Sequence, residues 1–164
     1  MVTGGQRSGK SEWAERKALS LSSCPVYVAT ATVWDDDFRA RVEAHKARRG
    51  PEWTNIEETL HLSSLDLTGR VVLVDCVTLW ATNMFFAHNE NIRDALEELK
   101  QEFDTFTSHK ATYIFVTNEI GLGGVSENAM QRHFADLQGK INQYIASRCH
   151  EAYLMVSGLE LKLK

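Results

Sequence analysis

The stretch Gly4–Ser11 reads GGQRSGKS and runs directly into EWAERKAL (residues 12–19). It fits G-x-x-x-x-G-K-[ST], the spacing of a loop that wraps phosphate. Gly4 and Gly9 permit backbone angles closed to other residues, so successive N–H groups turn inward on phosphate oxygens. The helix that follows adds its positive end to the attraction. In such a loop Lys10 is expected to reach the β- and γ-phosphates, and Ser11 to hold Mg²⁺. The alternative is a glycine-rich turn that matches by chance. Context decides between them, since the loop needs a strand before it and a helix after it. The helix pattern is present; the strand is confined to Met1-Val2-Thr3.

Outward from this loop the chain alternates short apolar runs with amphipathic ones. VYVATA (residues 26–31), VVLVDC (71–76), ATYIFVTN (111–118) and EAYLMVSG (151–158) read as strands, the last three as strands buried on both faces. Helical patterns occupy residues 11–21, 35–49, 91–107 and 127–148. Strand–helix alternation predicts an α/β layer structure with a mostly parallel sheet. The end differs: VSGLELKLK (156–164) sets Ser157-Gly158 between two strand-like segments. That predicts a closing antiparallel hairpin whose last strand lies half-exposed at an edge.

The totals narrow the class. A chain of 164 residues is most simply one domain over residues 1–164. A net charge of −4 argues against general nucleic-acid binding. Cys24, Cys76 and Cys149 are odd in number and form no C-x-x-C pair, so neither a disulfide framework nor a zinc site is expected. A cytoplasmic location follows as an expectation. No apolar run approaches the ~18 residues of a membrane span.

A phosphate loop of this kind works with an acid at the end of a buried strand, which acts on the metal. Asp75 in VVLVDC occupies that place. The other reading of Asp75 is a cap for the next helix. Two further motifs suggest a regulatory GTPase and fail. DLTG (66–69) precedes a strand rather than following one, and Asn118 lacks the lysine and aspartate of a guanine-reading motif.

DDDFRARVEAHKARRGPEW (35–53) carries the least ordinary chemistry. On a helix Arg41, His45, Arg48 and Arg49 share one side. Surrounding cations disfavour the imidazolium, so His45 is expected to stay neutral and nucleophilic near pH 7. A neutral histidine among phosphate-binding arginines suits a covalent phosphoryl or nucleotidyl acceptor. From spacing alone, a solvated basic helix that carries a histidine is the simpler reading. Trp53 packs near a nucleotide, lines a subunit interface or covers a helix end. NEIGLGGVSEN (118–128) has the glycines of a mobile loop beyond a strand, so Asn118 and Glu119 face either substrate or a neighbouring subunit.

Taken together, VTGGQRSGKS, YVATA with DDDF, RVEAHKARR with Trp53, VDCVTLWATN, VTNEIGLGGVSEN, RHFADLQGKINQ and VSGLELKLK resemble one family in order and almost end to end. It is the bifunctional adenosylcobinamide kinase/adenosylcobinamide-phosphate guanylyltransferase family of cobalamin biosynthesis. The resemblance implies a P-loop NTPase-like three-layer sandwich and a homo-oligomer, a trimer. It implies a corrinoid substrate, GTP and ATP as nucleotides, and Mg²⁺. It implies phosphorylation of the aminopropanol hydroxyl of adenosylcobinamide. GMP then passes from GTP, through a histidine, to the new phosphate. The guanylylated histidine falls on His45, which reverses the simpler reading above. Lys10 is the second catalytic residue. Nucleotide-binding positions fall on Gly4, Gly5, Gln6, Arg7, Ser8, Gly9, Lys10 and Ser11, on Thr30, Ala31 and Thr32, on Lys46, Ala47, Arg48 and Arg49, and on Glu57 and Asp75. The metal positions are Ser11 and Asp75. Either Asp75 or Glu57 serves as base for the substrate hydroxyl. One departure stands out: Ala135 occupies a place where relatives carry arginine. A kinase without nucleotidyl transfer, and a nucleotide-binding regulatory module without turnover, are the alternatives.

Overall fold

Among the described residues, one sheet of seven strands carries the chain, in the order β3-β2-β4-β5-β1-β6-β7. The computed structural model describes residues 1–32, 35–47 and 49–164, and the side chains of all of these except Asp37, Phe38, Arg41, Ala44 and His45. The strands are β1 Val2–Gly4, β2 Val26–Ala29, β3 Thr54–Glu57, β4 Val71–Asp75, β5 Thr112–Val116, β6 Tyr153–Val156 and β7 Leu159–Lys162. The helices are α1 Lys10–Leu21, α2 Asp36–Ala47, α3 Val77–Ala87, α4 Ile92–Ser108 and α5 Ala129–Arg148. Strands β1 to β6 run parallel, and β7 returns antiparallel to β6, as the α/β reading with a closing hairpin predicts.

The alternation of side chains along the strands sorts two cores. Val72 and Val74 of β4 join Val26, Val28 and Phe115 on one face, under α3, α4 and α5. Leu73 joins Val2, Tyr27, Ile114 and Val116 on the other, against Trp13, Ala14 and Ala18 of α1. Helix α4 buries Ala95, Leu99, Phe103 and Phe106, a single stripe at helical spacing. Asn91 starts that helix by accepting from the amides of Arg93 and Asp94. Asn128 starts α5 by accepting from Gln131 N.

The strand ahead of the phosphate loop is short but central. All three residues of β1 are buried, and it pairs with β5 on one side and β6 on the other. Two elements lie outside the strand–helix reading above, β3 and α3. Strand β3 (TNIE) is an edge strand with little apolar content. Helix α3 (VTLWATNMFFA) is apolar round most of its surface, so its sequence shows no polar face opposite the six residues it buries. Trp53, on the segment between α2 and β3, packs inward. It is buried in the α1-side core, edge-on to Tyr27 with ring centroids 6.0 Å apart.

Candidate active site

The C-terminal ends of the parallel strands share one edge of the sheet, where an open α/β sheet presents its ligand crevice. Residues 4–11 leave β1 at this edge. Gly4 has φ +148°, and a Cβ there would stand 2.4 Å from Met155 O and 2.8 Å from Ser8 Oγ. Only glycine fits. Gly9 has φ +94° and opens α1. The Lys10 Nζ, buried with its side chain, donates to Gly5 O at 2.5 Å and to Ser8 Oγ at 3.4 Å, which sets the ammonium within the curve of the loop. Burial lowers the Lys10 pKa from its ordinary value, against the opposing pull of Cys76 and Asp75. Ser8 is buried, Ser11 half-buried, and Gly5, Gln6 and Arg7 are exposed at the rim.

The closing hairpin supports this loop, a role its sequence does not announce. Ser157 (φ 51°) and Gly158 (φ 82°) form the two-residue turn, and Gly158 N donates to Ser8 O at 3.0 Å. Strand β7 is held from the other side as well, since Trp13 Nε1 of α1 donates to the Glu160 carboxylate.

Asp75 ends β4 beside β2. Its carboxylate accepts from Tyr27 Oη at 2.8 Å, and Cys76, not Asp75, stands at the N-cap of α3 with no side-chain cap bond. The Arg49 guanidinium lies 3.6 Å over the Tyr27 ring, and its Nε donates to Asn55 Oδ1 at 3.0 Å. Arg49, Tyr27 and Asp75 therefore form one chain of contacts. Burial, then the Asp75 charge, hold the Tyr27 phenol well above its ordinary pKa, so it stays a donor. Burial and Asp75 likewise push the Cys76 thiol up to about 12. Tyr27 went unread in the sequence because it sits in an apolar strand pattern, where an aromatic residue reads as core.

Thr30, Ala31 and Thr32 follow β2. Thr30 is fully buried and its hydroxyl is engaged with the backbone: it donates to Cys76 O at 2.7 Å and accepts from Cys76 N at 2.9 Å. Ala31 is half-buried and Thr32 exposed. At the end of β3, Glu57 accepts from Lys46 Nζ of α2 at 2.9 Å, which raises the Lys46 pKa. Its neighbour Glu58 instead accepts from the amides of Leu60 and His61. Burial raises the Glu58 pKa and those amides outweigh it, so the net shift is downward. That separates the two adjacent acids: Glu58 shapes a turn, and Glu57 meets α2. Ala47 ends α2, exposed. His45 lies on α2 by its backbone, and its side chain, like that of Arg41, is outside the described residues; so is Arg48.

Residues 117–119 bring the strand β5 end to the loop. Glu119 N donates to Gly4 O at 3.0 Å, and Asn118 N to Thr78 Oγ1 of α3 at 2.9 Å. Asn142 of α5 fastens the same segment, donating to Asn118 O at 3.0 Å and accepting from Thr117 Oγ1 and Gln138 Nε2 at 2.7 and 2.9 Å.

A glycine loop around a lysine and an acid at the end of a neighbouring strand are a geometry shared by many nucleotide enzymes. The sequence profile of "Cobinamide kinase / cobinamide phosphate guanyltransferase" matches residues 1–163. The chain belongs to this family. It is similar to "Bifunctional adenosylcobalamin biosynthesis protein CobU" of Escherichia coli K12, at 37% identity over all of this chain and 98% of that protein. The protein of the same name from Salmonella typhimurium LT2 is 38% identical over the same shares. "Bifunctional adenosylcobalamin biosynthesis protein CobP" of Pseudomonas aeruginosa is 37% identical over all of this chain and 96% of its own length. The cobinamide kinase/guanyltransferase family thus covers the chain end to end, and the resemblance drawn from the seven segments holds.

Proposed function

We propose that this member of the cobinamide kinase/guanyltransferase family carries out both reactions on adenosylcobinamide with the phosphate loop at its centre. The observation that carries the reading is the loop itself. Gly4 is pressed against Met155 and Ser8, Lys10 points its ammonium into the curve, and α1 starts at that lysine. In the kinase reaction the loop amides and Lys10 hold the β- and γ-phosphates of ATP or GTP. The aminopropanol oxygen bonds to the γ-phosphorus as the bond to the β–γ bridging oxygen breaks. The nucleoside diphosphate leaves, and the hydroxyl proton passes to a base, Asp75 or Glu57. Positioning and charge stabilisation do most of the work.

Ser11 and Asp75 offer a hydroxyl and a carboxylate, hard oxygen donors of the kind that suit Mg²⁺. When bound, Mg²⁺ neutralises phosphate charge. Tyr27 orients the Asp75 carboxylate through its hydroxyl, and the Arg49 guanidinium covers the Tyr27 ring. Among the described residues Arg49 Nη1 is buried with no hydrogen-bond partner, a donor available to a phosphate oxygen.

In the guanylyl transfer the His45 imidazole attacks the α-phosphorus of GTP. A P–N bond forms, the bond to the bridging oxygen breaks, and pyrophosphate leaves. A phosphate oxygen of adenosylcobinamide phosphate then attacks the same phosphorus, the P–N bond breaks, and the imidazole is freed. Support comes from the resemblance, from the guanyltransferase named in the family's description, and from the position of His45 on α2 one residue before Lys46, which meets Glu57. Thr30, Ala31, Thr32, Ala47 and Arg48 belong to the same nucleotide site in this reading. A single domain, a homotrimer and a cytoplasmic location complete it. The oligomer is supported by the β7 edge, where Leu159, Leu161 and Leu163 are exposed with Val156. Among the described residues no helix is long and apolar enough to cross a membrane.

The test is a two-stage product assay. Adenosylcobinamide, ATP and Mg²⁺ should give adenosylcobinamide phosphate, and added GTP should convert it to adenosylcobinamide-GDP. Phosphate without the GDP product would leave a kinase alone; neither product would overturn the reading.

A further inference from the structure

We propose that the cavity between the end of α3, the segment after β5 and the first turns of α5 receives the corrin ring of the acceptor substrate. This inference rests on the kinase reading above. The cavity has a volume of about 820 Å³, within the range of small-molecule sites. Phe85, Phe86, Ile120, Val125, Met130 and Phe134 supply its apolar lining. Of these, Val125 is 88% exposed and Phe86 52%, an apolar surface that a soluble chain rarely leaves open in one patch.

Its place relative to the phosphate loop is fixed by bonds already described. Glu119 N binds Gly4 O, and Ile120, the next residue, is on the cavity wall. Asn118 N binds Thr78 of α3, and Thr82, one turn further along that helix, is on the same wall. A ligand in the cavity therefore lies beside the mouth of the loop, on the side of the sheet opposite α1. The other large cavity, of about 560 Å³, is lined by Thr112, Glu151 and Tyr153 at the starts of β5 and β6, so it opens at the far edge of the sheet. It is out of reach of a γ-phosphate held at Lys10.

The chemistry of the wall matches the acceptor. A corrin ring has apolar faces and a fringe of primary amides. Aromatic and aliphatic side chains cover a face of that kind, and Gln131, Arg132 and Asp136, also on the cavity wall, offer polar groups to the amide fringe. Arg132 Nη1 also donates to Ser126 O and Glu127 O at 2.9 and 2.7 Å, and Ser126 Oγ donates to Gln131 Oε1 at 2.6 Å. These bonds hold the exposed segment in one shape against α5. With the ring in the cavity, the aminopropanol arm extends past Asn118 and Glu119 toward the loop.

The test uses the full chain and the variants Val125→Asp and Phe86→Ser, both at exposed positions. Cobinamide binding is measured by equilibrium dialysis, following its visible absorption. Kinase KM values are measured for cobinamide and for ATP, and mass by sedimentation. The expected result is a rise of about tenfold or more in Kd and KM for cobinamide, with KM for ATP unchanged. Wild-type affinity for cobinamide in both variants would overturn the proposal. So would a changed mass with unchanged cobinamide affinity, since the patch is then a subunit contact. If the wild-type chain binds cobinamide but does not phosphorylate it, the kinase reading fails while this site stands. If it phosphorylates cobinamide and the variants do so with unaltered KM, only this site fails.

Discussion

Tyr27 donates its hydroxyl to Asp75 at 2.8 Å while the Arg49 guanidinium covers the same ring at 3.6 Å. One buried phenol thus connects the acid at the end of β4 to the residues beyond α2. Tyr27→Phe should keep the fold, lower the unfolding free energy by about 1 kcal/mol for the lost bond, and raise the Mg²⁺ concentration needed for half-maximal kinase rate. Denaturant unfolding and a Mg²⁺ titration measure the two effects. An unchanged titration would limit Tyr27 to packing.

The same contact sets the alkaline limit of stability. The Tyr27 phenol and the Cys76 thiol both have folded pKa values above their ordinary ones, that of Cys76 at about 12 against 9.0. A raised pKa contributes stability in full below the unfolded value and loses it as pH rises through the folded one. Stability should therefore decline from about pH 9 upward. Lys10 acts in the opposite sense, because its pKa is lowered. Tyr27→Phe should flatten the decline, as read from denaturation midpoints between neutral pH and the alkaline range. A wild-type curve with no alkaline decline would contradict the account.

Gly4→Ala should damage the loop from within. The added Cβ meets Met155 O at 2.4 Å, and φ +148° is strained for alanine. A loss of about 2 kcal/mol or more in stability and loss of nucleotide binding are expected, measured by thermal shift with and without GTP. Gly5→Ala is the control, since nothing lies within 4 Å of its Cβ position.

Lys10→Ala should abolish kinase and guanylyl transfer together, by roughly 10²–10³-fold or more, since both reactions place charge on the same phosphates. Near wild-type turnover in either assay would remove the loop from that reaction. Asp75→Asn should weaken Mg²⁺ dependence without unfolding the chain. A wild-type Mg²⁺ response would leave Asp75 with Tyr27 as a structural pair.

The sheet was legible where side-chain patterns are simple. VVLVDC, ATYIFVTN and EAYLMVSG each became a strand within a few residues of its expected limits. Strand β4 has the buried centre expected of them, whereas β6, near the edge, is only partly buried and leaves Val156 exposed. Helix α3 was not legible because its sequence is apolar round most of its surface, so no polar face sets off the six residues it buries. Residues 4–11 declared the loop through spacing alone. The partners of that loop did not show, because Gly158 on Ser8 and Tyr27 on Asp75 join residues 150 and 48 positions apart. No local pattern encodes such a meeting. Thr30 shows the converse: its place near the nucleotide positions came from resemblance, and its hydroxyl is committed to Cys76.

The central claim is that one chain combines a phosphate loop with a histidine that carries GMP. The most direct measurement incubates the protein with Mg²⁺ and GTP labelled at the α- or the γ-phosphate, then denatures it and follows the label. The α-label should stay on the wild-type chain, leave under mild acid, persist in base, and be absent from His45→Ala. The γ-label should not stay, because pyrophosphate departs. His45→Ala should still phosphorylate adenosylcobinamide. Retention of the α-label by His45→Ala, or no α-label on the wild-type chain while it makes adenosylcobinamide-GDP, would contradict the account.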